Sequence, residues 1–188
     1  MKHLIETYNS NWANEFKELK RCLLKVLNGL DIDIQHVGST AIPNLAAKPI
    51  LDVDIIIYDK TLIMSISKIL EDFGYISKGE QGINGRFAFR QSSEKTPEID
   101  GVKTWQEHHL YVCYSDSLAL KNHILFRDAL LNDSKLLMEY CTLKIKLTQE
   151  KGMTREKYTQ RKTDFIISVL AKLGLDTSEI NEITNANR

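Results

Sequence analysis

Apolar residues recur at intervals of three and four between residues 11 and 28, a spacing that predicts an amphipathic helix. Ser10 is the predicted N-cap of this helix, and Gly29 is predicted to follow its last turn. Two strands are predicted next: a short one at residues 32–37 and an apolar, β-branched one at residues 50–57.

The middle of the chain alternates between strand patterns and turn residues. Asp59 is predicted to cap a helix that ends before Gly74. Period-two patterns then predict strands at 75–78, 86–91 and 108–114. Glycines separate the first two of these strands, and a polar loop over residues 92–103 precedes the third.

After Ser115 the period of the apolar positions becomes helical and stays helical. Three helices are predicted, separated near residues 132–133 and 151–153, and the polar end at residues 181–188 is expected to be loose. The predicted fold class is α+β: a mixed sheet flanked by helices, with a helical C-terminal third. We expect residues 1–114 to form an α/β core and residues 115–188 to pack on it as one compact unit.

The amino-acid composition of the chain excludes some classes of function. The chain has 188 residues, 43% of them hydrophobic, which is enough for one well-buried core. Its 25 basic and 25 acidic residues give no net charge, so general nucleic-acid binding, which needs a broad basic field, is not expected. Cys22, Cys113 and Cys141 are widely spaced and form no C-x-x-C pair, as is typical of reduced thiols in a cytoplasmic protein.

No segment reaches the roughly 18 apolar residues that a membrane span needs. The start of the chain also lacks the apolar h-region of a signal peptide. We therefore expect a soluble cytoplasmic protein without a membrane partner. The sequence does not specify its oligomeric state.

Asp52 and Asp54 interrupt the apolar strand at residues 50–57. Because side chains alternate along a strand, both carboxylates are predicted on one face, and Leu51, Val53 and Ile55 on the buried one. Two neighbouring carboxylates repel each other unless a cation lies between them, and Mg²⁺ (or Mn²⁺) is bound through such carboxylates together with substrate phosphates. The alternative is the hydrated face of a half-exposed strand.

Gly38 and Ser39 precede this strand and are candidates for phosphate binding. Gly38 allows the backbone to approach a ligand closely, and Ser39 and Thr40 offer hydroxyl and amide donors at the start of a short helix or turn. Gly-Ser is also a common loop dipeptide, so the hypothesis depends on its combination with the two aspartates.

The order Gly38-Ser39, spacer, Asp52-Val53-Asp54 resembles the signature of the DNA polymerase β-like nucleotidyltransferase superfamily, and the chain closely resembles the GrpB-like family within it. The matching segments are residues 8–12 with Phe16, residues 36–43 and 47–52, residues 85–86 and 89–90, residues 108–112, and residues 126–128 with Tyr158 and Lys162.

This resemblance implies a polymerase β-like mixed sheet and transfer of a nucleoside monophosphate from an NTP to an unidentified acceptor. Superfamily members use two divalent metals held by three carboxylates. GrpB-like domains also occur fused to dephospho-CoA kinase, which suggests a role near coenzyme A metabolism. The alternative function is a noncatalytic nucleotide-binding or regulatory module.

The third carboxylate of the superfamily pattern has two candidate replacements here. If Leu110 and Val112 face the core, then Glu107, His109 and Tyr111 share the face of the aspartates. Either Glu107 is the third metal ligand, or His109 has replaced it as a ligand for Mn²⁺ or Zn²⁺ or as a general base.

Several basic residues are candidates for nucleotide or phosphate binding. Lys48 precedes the aspartate strand, and Arg86 and Arg90 lie four residues apart, hence on one strand face. The helical part contributes Lys144, Tyr158 and Lys162, the last two one helical turn apart. The lysines are equally typical of solvated surface charge and Tyr158 of packing, and His123 and Asp128 share this ambiguity.

Overall fold

The computed structural model describes residues 5–99 and 103–186. In this part of the chain five strands form one mixed sheet in the order β1-β2-β5-β4-β3. The strands are β1 (Ile32–Val37), β2 (Leu51–Ile57), β3 (Tyr75–Ser77), β4 (Arg86–Gln91) and β5 (His108–Tyr114). β2 and β5 run parallel, whereas the other neighbouring pairs are antiparallel. The predicted α+β class is confirmed.

Six α-helices accompany the sheet in the described residues. They are α1 (Asn11–Val26), α2 (Ile63–Asp72), α3 (Leu118–Asn132), α4 (Ser134–Gln149), α5 (Arg155–Lys172) and α6 (Thr177–Ala186). Short 3₁₀ helices lie at Ser39–Ala41 and Lys60–Leu62. Asp59 caps the second of these through a hydrogen bond from Thr61 N, and α2 follows it.

Ser10 is the N-cap residue of α1, as predicted, although its side chain makes no capping hydrogen bond. One sequence prediction about a helix was wrong. The end of the chain was expected to be loose, yet α6 reaches residue 186 because Ile180 and Ile183 pack against Leu170 and Leu175. The predictions for residues 1–4, 100–102 and 187–188 concern residues outside the described ranges.

One face of the sheet forms the main hydrophobic core. Val53 on β2 and Leu110 and Val112 on β5 are fully buried there, packed with Trp12 and Leu23 of α1. These are the residues that period-two alternation assigned to the core, so the alternation of both strands is confirmed.

The opposite face carries the polar positions of the same strands. In the sheet register Asp52 lies beside Val37 of β1 and His109 of β5, and Asp54 lies beside Tyr111. Residues in register on neighbouring strands point to the same side of a sheet. The aspartates and His109 therefore share one face.

The C-terminal helices cover this polar face. Arg127 of α3 donates from Nη1 to the carbonyl oxygen of His36 at 3.0 Å. Leu130 and Tyr140 pack against Ile42 and Leu45 of the segment between β1 and β2. The division into residues 1–114 and 115–188 stays a prediction. Among the described residues, no helix combines the length and the apolar character needed to cross a membrane.

Asp133→Ala is expected to lower the free energy of unfolding by about 1 kcal/mol, the usual cost of removing an N-cap side chain. The Asp133 carboxylate accepts hydrogen bonds from the backbone N–H groups of Lys135 and Leu136 at 2.9 and 3.0 Å. Urea unfolding measures the change. Glu139→Ala, at an exposed position in the same helix, is the control and should change stability by less. Equal losses would show that the cap does not stabilise α4.

Candidate functional site

A sharp turn after β1 brings the backbone against Asp52. Gly38 has a φ angle of 69°, and a Cβ atom there would lie 2.2 Å from Oδ2 of Asp52. Only glycine tolerates both the conformation and the contact.

The hydroxyl of Thr40, predicted to bind phosphate, instead donates to the carbonyl oxygen of Ile50 at 3.3 Å and contacts Nε2 of His36 at 3.0 Å.

Asp52 and His109 form a hydrogen-bonded pair across β2 and β5. Nδ1 of His109 lies 2.9 Å from Oδ1 of Asp52, and because an ionised carboxylate only accepts, the imidazole donates. This hydrogen bond raises the pKa of His109 above its ordinary value. The pair is partly exposed, so it can meet a ligand.

Asp54 and His123 form a second, buried pair. Asp54 is fully buried, and its Oδ2 accepts from Nδ1 of His123 at 2.8 Å. Burial is the largest single influence and lowers the pKa of His123, but the negative charge of Asp54, its hydrogen bond with the ring and the charge of Asp52 together outweigh burial, so this pKa is raised. Oδ1 of Asp54 is buried without a hydrogen-bond partner among the described residues.

Two adjoining cavities meet at Asp52. Both are lined by Ser39, Asp52, His109, Thr159 and Lys162. The larger, of about 430 Å³, we call the aromatic chamber; its further lining includes Ile42, Asn122, His123, Phe126, Tyr140 and Ile166. The smaller, of about 250 Å³, we call the basic chamber; its further lining includes Lys48, Lys144 and Tyr158.

The basic chamber concentrates positive charge. Within the described residues no salt bridge engages Lys48, Lys144 or Lys162. Lys162 lies 4.9 Å from the centre of the Tyr158 ring, and burial lowers its pKa. Lys48 and Lys162, beside a Gly-Ser turn, suit a polyphosphate.

Lys144 contacts the protein rather than open space. Its side chain is 2% exposed, and Nζ donates to Ser39 Oγ at 2.9 Å and to the carbonyl oxygen of Ala46 at 2.5 Å. Burial, and then the charge of Lys162, lower the pKa of Lys144 to about 7. Lys144 therefore holds Ser39 in place from helix α4.

Three predicted site residues lie away from these chambers. Glu107 and Arg90 line an open groove of about 690 Å³, which reaches the site only at His109. Arg86 lines a separate small cavity, with its guanidinium 4.6 Å from the centre of the Tyr111 ring. The structure therefore does not join Glu107 to the aspartates as a third carboxylate.

The donors present fit one hard cation. The unpartnered Oδ1 of Asp54 and the partly exposed carboxylate of Asp52 lie on the same face, and Mg²⁺ is often bound by two carboxylates plus phosphate and water oxygens. A cage of protein ligands is not formed: the described residues contain no group of three or more His, Cys, Asp or Glu side chains placed to hold a metal. A metal site with three carboxylates therefore does not fit.

The sequence left the role of His123 undecided and did not single out Tyr140 as a site residue. Tyr140 lies four residues before Lys144, hence on the same face of α4, and this spacing was a usable signal. His123 lies 69 residues from Asp54, and nothing local in the sequence predicts their contact.

Comparisons with known proteins agree over most of the chain. The family model described as GrpB protein matches residues 3–172. The UPF0157 protein YqkA of Bacillus subtilis is 34% identical over 159 residues, which cover 85% of this chain but only 43% of YqkA. The glutamate-rich protein GrpB of Alkalihalophilus pseudofirmus is 27% identical over 171 residues, covering 90% of this chain and 95% of that protein.

Solved structures give the same result for the fold. The crystal structure of the conserved protein GrpB from Enterococcus faecalis matches with a TM-score of 0.71 and 27% identity, covering 90% of this chain and 98% of that one. Cid1 in complex with the UTP analogue UMPNPP matches with a TM-score of 0.58 and 17% identity, covering 92% of this chain and 51% of Cid1. The latter likeness concerns the fold alone.

Proposed function

The chain belongs to the GrpB family, and we propose that it is a metal-dependent nucleotidyltransferase that transfers a nucleoside monophosphate from an NTP to an acceptor hydroxyl. The observation that carries this proposal is the Gly38 turn packed against Asp52, with Lys48 and Lys162 in the basic chamber on one side and the aromatic chamber on the other. The fold neighbour Cid1, solved with a UTP analogue, supports it by analogy.

The two chambers suggest how an NTP would bind. The polyphosphate would lie in the basic chamber, where Lys48 and Lys162 neutralise its charge and Ser39 donates a hydrogen bond. The nucleoside would lie in the aromatic chamber against Phe126 and Tyr140. The α-phosphate would then lie where the chambers meet, next to Asp52.

Asp52 and the free Oδ1 of Asp54 would hold one Mg²⁺ or Mn²⁺, which neutralises charge on the transferring phosphate. His109 would act as the general base. Its Nδ1–H donates to Asp52, which leaves Nε2 to accept the proton of the acceptor hydroxyl as that oxygen bonds to the α-phosphorus and the bond to pyrophosphate breaks. The groove beside His109 offers the acceptor an approach.

The alternative is a noncatalytic nucleotide-binding or regulatory module. The fusion of GrpB-like domains to dephospho-CoA kinase suggests that such a module would serve coenzyme A metabolism. One observation favours this alternative. Within the described residues Asp52 and Asp54 have no third metal-ligating partner. Release of pyrophosphate from an NTP distinguishes the two: the proposed enzyme requires it, and a binding module does not.

An NTP with Mn²⁺ is expected to raise the melting temperature by roughly 5 to 10 °C at 100 times its Kd, because it binds only the folded state. Lys162→Met should remove most of this shift, since it deletes a cation from both chambers. Lys157→Met, at an exposed position of the same helix, is the matched control and should keep it. Differential scanning fluorimetry with each common NTP measures the shifts. Absence of any shift would contradict both the enzyme and the binding module.

A further inference from the structure

A small cavity lies behind His123, separate from the two chambers. Its volume is about 50 Å³, and its polar lining includes Arg86, Asn122 and His123. Asn122 and His123 also line the aromatic chamber, so these two residues of α3 form the wall between the cavities. The remaining lining is mostly apolar and includes Ile83 and Leu118.

Arg86 enters this cavity with unused hydrogen-bond donors. A guanidinium has five N–H donors and no acceptor. Among the described residues the Arg86 side chain makes no hydrogen bond or salt bridge, and its contact is with the face of the Tyr111 ring. Nε is buried without a partner, and a native structure that buries such a group usually supplies a water or an ion.

No carboxylate forms a salt bridge with Arg86 among the described residues. Asp54, on the same sheet face, accepts from His123 through Oδ2, and its Oδ1 makes no hydrogen bond to Arg86. Glu182 lines the cavity from α6, but it is exposed and is not within salt-bridge distance of Arg86. Asn122 adds an amide that has no hydrogen-bond partner among the described residues. A positive charge and free donors in a cavity favour an anion.

We propose that this cavity binds the carboxylate of a small monocarboxylic acid. A carboxylate has the planar, two-oxygen shape that accepts paired hydrogen bonds from a guanidinium. The apolar wall at Ile83 and Leu118 suits a short alkyl tail, whereas a phosphate would turn an oxygen against it. The bound acid would lie beside His123, the residue that holds Asp54, and so would adjoin the candidate site.

Isothermal titration calorimetry with acetate and its neutral isostere acetamide tests this proposal on the full chain, without nucleotide or divalent metal. Acetate is expected to bind at least about tenfold more tightly than acetamide, as charge-assisted hydrogen bonds imply. Arg86→Gln should abolish the difference. Arg86→Lys, which keeps the charge but not the fork, should bind acetate more weakly than wild type.

Arg90→Gln is the matched control: it removes an arginine from the same strand at an exposed position and should leave acetate binding unchanged. A melting curve of each variant confirms that it is folded. Equal binding of acetate and acetamide, tighter binding of inorganic phosphate, unchanged binding in Arg86→Gln, or only water at Arg86 in crystals grown with acetate would overturn the proposal. Because no nucleotide is present, failure of the proposed transferase function leaves the result unaffected.

Discussion

Gly38→Ala is expected to destabilise the protein by roughly 2 to 4 kcal/mol and to abolish its stabilisation by NTP and Mn²⁺. The new Cβ would lie 2.2 Å from Oδ2 of Asp52 and 2.9 Å from the Cβ and Cγ of the same residue. Alanine also resists a φ of 69° with a ψ of −169°. Either the turn or Asp52 must move, and the proposed binding of the phosphates and the cation depends on both positions.

Gly79→Ala separates the two causes. Gly79 has a φ of 64°, yet a Cβ there would meet nothing within 4 Å. This control should therefore lose stability through backbone strain alone and should keep the full nucleotide-dependent shift in melting temperature. Urea unfolding and scanning fluorimetry measure both quantities. If Gly38→Ala binds the NTP as wild type does, the close packing of Gly38 on Asp52 is not required for the proposed function.

The sheet and one half of the candidate site could be predicted from the sequence because they depend on local periodicity. A period of two assigns every residue of β2 and β5 to one of two faces once the apolar set is known. That rule placed His109 on the face of the aspartates, and the hydrogen bond between His109 and Asp52 agrees with it. Ser39 was a candidate because it follows Gly38 and precedes the aspartate strand, and the GrpB resemblance supported Lys48 and Lys162, but the roles of these residues stay predictions.

The rest depended on contacts between distant segments. Periodicity gives a helix its buried face but not the strand that it covers, so the contact of His123 with Asp54 had no signal in the sequence. Glu107 lies two residues before His109 and was therefore expected on the same strand face. It precedes β5, however, and lines the groove on the far side of His109. The alternation of side chains also led to the prediction that Arg86 binds phosphate, but in the structure Arg86 lines a different cavity.

The two aspartates also differ in a way that their shared strand face did not predict. Asp52 is paired with a half-exposed imidazole and borders both chambers. Asp54 is fully buried and lines neither chamber, and only its Oδ2 is bonded to His123. Each carboxylate thus has an imidazole partner. Because each imidazole donates a hydrogen bond that stabilises the charge of its carboxylate, we expect one cation to suffice in the proposed site.

The other large effect is expected on stability below neutral pH, and it comes from His108. His108 is 2% exposed, and its Nδ1 donates to the carbonyl oxygen of Gln106 at 2.8 Å, which leaves Nε2 to accept from the Tyr75 hydroxyl at 2.6 Å. A protonated ring could not accept that bond. Burial lowers the pKa of His108 from 6.5 to about 4.

Above pH 6.5 both the folded and the unfolded chain keep His108 neutral, so its contribution is fully present. Between pH 6.5 and about 4 the unfolded chain takes up a proton that the folded one resists, and stability is lost. At pH 5 the loss is about 2 kcal/mol. His108→Gln removes the titrating group, so its difference in unfolding free energy from wild type should shrink by that amount between pH 7.5 and 5.0. Urea unfolding at the two pH values measures this difference in unfolding free energy. The raised pKa values of His109 and His123 also make stability depend on pH, but both residues are present in both proteins, so their contributions cancel in the difference. A difference that does not change with pH would mean that His108 is already charged in the folded state or is not buried.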